Sequence, residues 1–188
     1  AVRIGRDRAG HGPRGAQPRG VPERVPDPTV HLEARHAFDA VVDGLVEDGP
    51  LVVASPDPGG TKRAQLWRES LEARLARPVG FAMVDKRRSG GLVGGTQLLA
   101  GGVEGASVLL IDDLVATGTT LQLAARELRR GGARRVVACA AHGLFVGAAS
   151  EVLAGPDLDA VVVTDSVPPF RLHGPARQRL HVASCVPL

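Results

Sequence analysis

Short apolar runs alternate with helical segments along this chain, and this alternation constrains the fold more than any other feature. Apolar runs predict strands at 51–55, 80–85, 107–112, 134–140, 159–164 and 180–184, and helical spacing predicts helices at 31–46, 61–77, 118–131 and 146–153. Strands separated by helices predict an α/β fold with a mainly parallel sheet flanked by helices. Ligands of such folds bind beyond the carboxyl ends of the strands.

The composition excludes several functional classes. The net charge is only +3 and aromatic residues make up 3% of the chain, so neither a basic field nor stacking platforms favour nucleic acid. Apolar runs are too short to cross a bilayer, and no membrane association is expected. Cys139 and Cys185 are both assigned to predicted strands and are expected to be reduced and buried, which favours a cytoplasmic protein.

The first residues differ in composition from the rest. Residues 1–28 are rich in Arg, Gly and Pro and show little periodicity. We expect a loop-like N-terminal segment here, and the remnant of a first domain is the alternative. Residues 29–188 are expected to form one domain.

The apolar run Val108–Ile111 stops at two carboxylates, Asp112 and Asp113, and the turn Thr117–Thr120 then opens a helix. Free backbone N–H groups and the positive end of the helix dipole at such a turn bind phosphate. The carboxylates can accept hydrogen bonds from sugar hydroxyls or hold Mg²⁺. This arrangement predicts a sugar-phosphate site. The alternative is a solvated Asp pair followed by an ordinary helix cap.

A second turn follows the strand at 51–55. Ser55–Ala64 contains Asp57, Gly59 and Gly60, then Lys62 and Arg63 at the start of the next helix. Glycines permit unusual backbone conformations and close approach to a ligand, and successive N–H groups form an anion-binding nest. The alternative is a tight turn without a ligand.

Two further sets of residues end strands. Three consecutive cations, Lys86, Arg87 and Arg88, follow the run Phe81–Asp85 and precede a glycine-rich stretch. This order of residues suits either a mobile cationic loop or a solvated strand end. His142 and Asp165 each end an apolar run, where they can shape a site or simply cap a turn.

Together these motifs resemble a known family. The segment from Asp112 to Thr120 is similar to the phosphoribosyl diphosphate (PRPP) signature of phosphoribosyltransferases and PRPP synthetases. Ser55–Ala64 and Lys86–Arg88 resemble the pyrophosphate turn and mobile loop of PRPP synthetases, and the likeness covers residues 51–188 in the family's order. The resemblance is to the second of the two similar halves of those enzymes, and it implies a type I phosphoribosyltransferase-like fold.

The resemblance also implies roles for single residues. It implies that this protein, like PRPP synthetases, transfers the diphosphoryl group of ATP to ribose 5-phosphate with Mg²⁺. It also implies a homo-oligomer. Lys86 and Arg88 would be catalytic, and His142 and Asp165 would shape the site. The remaining assignments are to ribose phosphate (Asp112, Asp113, Thr117, Gly118, Thr119, Thr120), to diphosphate (Asp57, Gly59, Gly60, Arg63) and to metal (Asp57, Asp112).

The chain also departs from the family's pattern. Residues 1–49 are too few to form the first, ATP-binding half, and Ala116, Thr119 and Ala141 replace residues common in bacterial synthetases. Two alternatives therefore stay open. Beside the synthetase, they are a phosphoribosyltransferase that consumes PRPP and a non-catalytic regulatory homologue of the synthetases.

Overall fold

A computed structural model describes residues 33–86 and 97–186. The helices are α1 (Arg35–Val42), α2 (Thr61–Leu75), α3 (Thr119–Arg130), α4 (Ala149–Leu153) and α5 (Gly174–Gln178), and a 3₁₀ turn covers Pro58–Gly60. The strands are β1 (Leu51–Ser55), β2 (Gly80–Lys86), β3 (Gln97–Ala100), β4 (Ser107–Val115), β5 (Arg135–Gly143), β6 (Ala160–Thr164) and β7 (Leu180–Ala183).

The strands form one sheet in the order β3-β2-β1-β4-β5-β6-β7. All neighbouring strands are parallel except β3, which pairs antiparallel with β2 at the edge. The predicted α/β class with a mainly parallel sheet is therefore confirmed. The sequence did not predict β3 or α5; β3 lies in the glycine-rich stretch that suits a mobile loop.

Helices cover both faces of the sheet, since alternate side chains of each buried strand point to opposite sides. Val108 and Leu110 of β4 belong to the core under α3, α4 and α5. Leu109 and Ile111 belong to the core under α1 and α2. The central strands are consequently apolar throughout and suit a sheet buried on both faces.

Helix α1 is fixed against α2 by an aromatic contact and two polar ones. The Phe38 and Trp67 rings meet edge to face with centroids 5.7 Å apart, and the Trp67 indole N–H donates to Asp39 at 2.9 Å. Arg74 donates to both oxygens of Asp43 at 2.7 Å, and this hydrogen bonding lowers the pKa of the Asp43 carboxyl. These contacts hold α1 in place beside the sheet.

Several predicted boundaries need correction. Strand β4 continues three residues past the predicted end at 112, and β5 continues to Gly143, so His142 lies within a strand. Helix α4 begins at Ala149 instead of 146. Cys139 is buried in β5 as predicted, but Cys185 lies beyond β7 and is only partly buried.

Within the described residues, no helix is long and apolar enough to span a membrane.

Candidate functional site

The acidic pair lies inside strand β4, whereas the sequence predicted that the strand ends at Asp112. Side-chain exposure is 17% for Asp112 and 62% for Asp113, so the first carboxyl is largely shielded and the second faces solvent. The Asp113 N–H donates to Asp112 Oδ1 at 2.8 Å. Burial above all, and then the neighbouring carboxylate of Asp113, raise the pKa of Asp112 to about 6. At neutral pH Asp112 is therefore ionised, although its buried surroundings favour the neutral carboxylic acid.

Arg63 contacts both members of this pair. Its Nη1 lies 3.4 Å from Asp112 Oδ1, and its Nη2 lies 3.1 Å from Asp113 Oδ2. The sequence assigned Arg63 to a diphosphate, but here its guanidinium lies across the two carboxylates. Arg63 lies in the first turn of α2, which brings its side chain from the neighbouring strand–helix unit to the end of β4.

The predicted phosphate turn precedes α3. Gly118 is the N-cap of the helix with φ +79°, and a Cβ there would lie 2.6 Å from Leu153 Cδ2. Both the backbone angle and the packing therefore require glycine. The Thr117 and Thr119 hydroxyl oxygens lie 3.0 Å apart, and the Thr119 N–H donates to Thr117 Oγ1 at 3.4 Å.

A cavity of about 100 Å³ opens at this turn, and its lining includes Asp112 and the run from Leu114 to Leu121. The structure therefore brings Thr117, Gly118, Thr119 and Thr120 to one cavity with Asp112. The positive end of a 12-residue helix points into the same region.

The segment after β5 is hydrogen-bonded to the residues that lead into the predicted phosphate turn, a feature that sequence reasoning missed. The Phe145 and Val146 N–H groups donate to Val115 O at 3.2 Å and Ala116 O at 3.0 Å. Phe145 is buried with φ +48°, and a Cβ on Gly143 would lie 2.4 Å from its ring. The glycine two residues before an aromatic residue was the available signal.

The second turn is held by its own side chains. Ser55 Oγ donates to the Asp57 carbonyl at 2.6 Å, and the Gly60 N–H donates to Asp57 Oδ1 at 3.0 Å. Neither Gly59 nor Gly60 has positive φ. Gly60 is required for space instead, because a Cβ there would lie 2.6 Å from Ser55 Oγ. Asp57 thus occupies one N–H of the nest predicted for an anion.

A larger cavity of about 340 Å³ lies on the other side of the acidic pair. Asp112 lines both cavities. Charged residues make up half of its lining, and the other half are apolar residues and a glycine; the lining comprises Glu33, Ala34, Arg35, Phe38, Gly59, Lys62, Arg63, Leu66, Ile111, Asp112, Asp113 and Ala141. Sequence reasoning predicted α1 but not its part in this cavity, because that part depends on the docking of α1 against α2.

The other predicted residues lie elsewhere at the same edge. Lys86 ends β2, the parallel neighbour of β1, and Arg88 lies outside the described residues. His142 Nδ1 lies 2.8 Å from Ser166 Oγ, and Asp165 accepts from the Cys185 N–H at 2.9 Å. Hydrogen bonds to its carboxylate, first from Cys185 and then from Ser184, lower the pKa of Asp165. Neither His142 nor Asp165 lines either cavity.

In the parts of the chain that the structure describes, no group of three or more His, Cys, Asp or Glu could hold a metal. Mg²⁺ in phosphate sites commonly uses one or two carboxylates and completes its shell with substrate oxygens and water. Two carboxylates, such as the predicted metal ligands Asp57 and Asp112, would meet that smaller requirement, whereas zinc would need a larger protein ligand set.

Comparison with known proteins places this site in a family. The family model for the phosphoribosyl transferase domain matches residues 27–161. The chain belongs to the phosphoribosyl transferase domain family. It is 42% identical over 136 residues to a ribose-phosphate pyrophosphokinase of Prochlorococcus marinus strain MIT 9313, covering 71% of this chain and 40% of that protein. A ribose-phosphate pyrophosphokinase of Haemophilus ducreyi is 40% identical over 131 residues, covering 68% of this chain and 40% of that protein.

The fold comparison agrees. The crystal structure of phosphoribosylpyrophosphate synthetase from Mycobacterium smegmatis matches with a TM-score of 0.67 and 29% identity, covering 82% of this chain and 47% of that one. The resemblance to PRPP synthetases and the type I phosphoribosyltransferase-like fold are thereby confirmed. The chain spans 40% of the length of the two curated relatives.

Proposed function

We propose that this chain forms the ribose 5-phosphate side of a PRPP synthetase site. The observation that carries the proposal is the position of Asp112. It lies in one cavity with the Thr117–Thr120 turn and in a second cavity with Asp113 and Arg63. A ligand with a phosphate at one end and a sugar diol beside it matches this order of groups.

The phosphate turn would hold the 5-phosphate through backbone N–H groups at the start of α3 and through the hydroxyls of Thr117, Thr119 and Thr120. Asp112 and Asp113 would accept hydrogen bonds from the ribose hydroxyls. Ionised carboxylates are acceptors only, so they select a diol over a second phosphate, which they would repel.

In this proposal Asp112 and Asp57 would hold Mg²⁺. Bound there, it would neutralise charge on the diphosphoryl group. The assignment of Asp57 to the metal is preferred over direct contact with a diphosphate, because a carboxylate and a diphosphate repel each other. Gly59 and Gly60 keep the turn free of side chains at the point where a diphosphate would approach.

In the proposed reaction the anomeric hydroxyl oxygen attacks the β-phosphorus of ATP. The oxygen–phosphorus bond to the sugar forms, the bond from the β-phosphorus to the bridging oxygen of AMP breaks, and the hydroxyl proton leaves. Such transfers depend on positioning and on stabilisation of charge. Lys86, at the end of β2, and Arg88 would supply cations for the moving group.

The larger cavity favours one second candidate. Phe38, Leu66 and Ile111 give it apolar walls beside the acidic pair. A planar nucleophile, such as a nucleobase, would pack there and attack the anomeric carbon of PRPP, which is phosphoribosyltransferase chemistry. The third candidate, a regulatory homologue, would bind the same ligands without turnover.

One assay separates these functions. The protein is incubated with ribose 5-phosphate, ATP and Mg²⁺, and AMP and PRPP are measured. AMP that forms only when the sugar is present supports the synthetase. Pyrophosphate released from PRPP in the presence of a base, with no AMP in the first reaction, replaces the synthetase with the transferase. Ligand binding without either product leaves the regulatory role.

The setting of this activity is also a proposal. We propose a cytoplasmic homo-oligomer whose small-molecule ligands are ribose 5-phosphate, PRPP and ATP. The free thiols Cys139 and Cys185 are consistent with a reducing compartment. Light scattering during size-exclusion chromatography measures the oligomer directly, and a monomer at micromolar concentration would contradict this part.

A further inference from the structure

The guanidinium of Arg63 lies between two parts of the site that the proposed reaction uses together. It contacts Asp112 at 3.4 Å and Asp113 at 3.1 Å. It also lies beside the Asp57–Gly60 turn, because a Cβ placed on Gly60 would be 3.5 Å from Arg63 Nη1. One side chain therefore borders both the diol subsite and the diphosphate subsite.

We propose that Arg63 couples these subsites by exchanging between them. Without ligand, its guanidinium closes the acidic pair against sugar hydroxyls. A diphosphate at the turn draws the guanidinium away and opens the pair. The inference rests on the proposed function, since it assumes that sugar and diphosphate bind to these subsites.

The chemistry of arginine suits this exchange. A planar guanidinium binds carboxylate and phosphate in the same two-pronged geometry, so leaving one anion for the other preserves its hydrogen bonds. The side chain of Arg63 is 36% exposed and can swing without unpacking the core. The backbone N–H of Asp113 and the Arg63 guanidinium both contact Asp112 Oδ1, so a sugar hydroxyl at that oxygen competes with Arg63.

For the removal of Arg63, the exchange and simple electrostatic attraction predict opposite changes in the affinity for ribose 5-phosphate. A nearby cation should help a ribose 5-phosphate dianion to bind, and its removal should weaken binding. If Arg63 instead blocks the acidic pair, its removal raises the fraction of molecules that can bind the diol. Two partly exposed ion pairs of ordinary strength correspond to roughly twofold to thirtyfold tighter binding.

The test titrates ribose 5-phosphate into the protein by calorimetry in buffer with a metal chelator. Arg63→Gln removes the charge, and Arg63→Lys keeps the charge but loses the two-pronged contact. Both variants should bind the sugar phosphate more tightly than the unmodified chain. Arg63→Gln should also bind inorganic pyrophosphate several-fold more weakly, because the group that receives the diphosphate is gone.

Arg68→Gln is the matched control. It removes one positive charge from the same helix, where Arg68 pairs with Glu72 at 2.7 Å, and should change neither affinity. Circular dichroism confirms that each variant is folded. Equal or weaker sugar-phosphate binding in either Arg63 variant, or unchanged pyrophosphate binding in Arg63→Gln, would overturn the exchange. Failure of the unmodified chain to bind ribose 5-phosphate with Mg²⁺ would overturn the proposed function instead.

Discussion

Replacing Asp112 by Asn should stabilise the fold while it removes a group needed for binding. Asp112 is held as a carboxylate in a largely buried position, and burial raises its pKa from the ordinary 3.8 to about 6. A difference of about two pKa units corresponds to about 3 kcal/mol of stability lost on ionisation. Asn keeps an oxygen for the Asp113 N–H and carries no charge.

The pH dependence follows from the direction of this shift. Between about 4 and 6, the native chain holds a proton on Asp112 that the unfolded chain has released, so the contribution of this group to stability falls as pH rises. The gain from Asp112→Asn should therefore reach at most about 3 kcal/mol above pH 6 and should shrink towards zero below pH 4. The pKa of about 6 already includes the opposing attraction of Arg63, so the pairing with Arg63 needs no separate subtraction.

Urea unfolding at pH 7.5 and pH 3.5 measures the gain at both ends of this range. Asp113→Asn is the control, because its side chain is 62% exposed and burial is the main cause of the raised pKa of Asp112. The control should gain less stability. The reasoning is refuted if Asp112→Asn is less stable than the unmodified chain at pH 7.5, or if its gain does not shrink in acid.

Three further results are expected. Gly118→Ala should lose about 2–4 kcal/mol in urea unfolding from left-handed strain and from the clash with the α4 side chain, whereas Gly105→Ala, with φ +66° in open space, should lose only about 1–2 kcal/mol. Ribose 5-phosphate affinity should fall in calorimetry as pH drops below about 6, because Asp112 becomes protonated; constant affinity to pH 5 would contradict this. Asp43→Ala should cost less than about 1 kcal/mol, and high salt should reduce that cost, because the pair with Arg74 is exposed.

The sequence predicted the sheet because each buried strand is a continuous apolar run, a signal that depends only on local composition. It also predicted a turn between β4 and α3, since Gly118 and the threonines occupy consecutive positions between a strand and a helix. Features that depend on one or two neighbouring residues are visible in this way. The end of β4 could not be predicted in this way, because aspartate is rare in strands. Here β4 continues through Asp112 and Asp113 because it pairs with β5.

The position of Arg63 could not be predicted either. Its sequence neighbours place it at a diphosphate turn, whereas its contacts depend on how close the first turn of α2 lies to the end of β4. The larger cavity likewise depends on Phe38 meeting Trp67 across two helices. Contacts between residues far apart in the chain arise from packing, and a single sequence carries little information about them.

The most direct test of the account is calorimetric titration of ribose 5-phosphate, with Mg²⁺ present, into the unmodified chain and into the double variant Asp112→Asn, Asp113→Asn. The account predicts saturable binding of one sugar phosphate per chain, and loss of measurable binding in the double variant with its fold retained by circular dichroism. Equal affinities for both proteins would contradict the assignment of the acidic pair to the sugar.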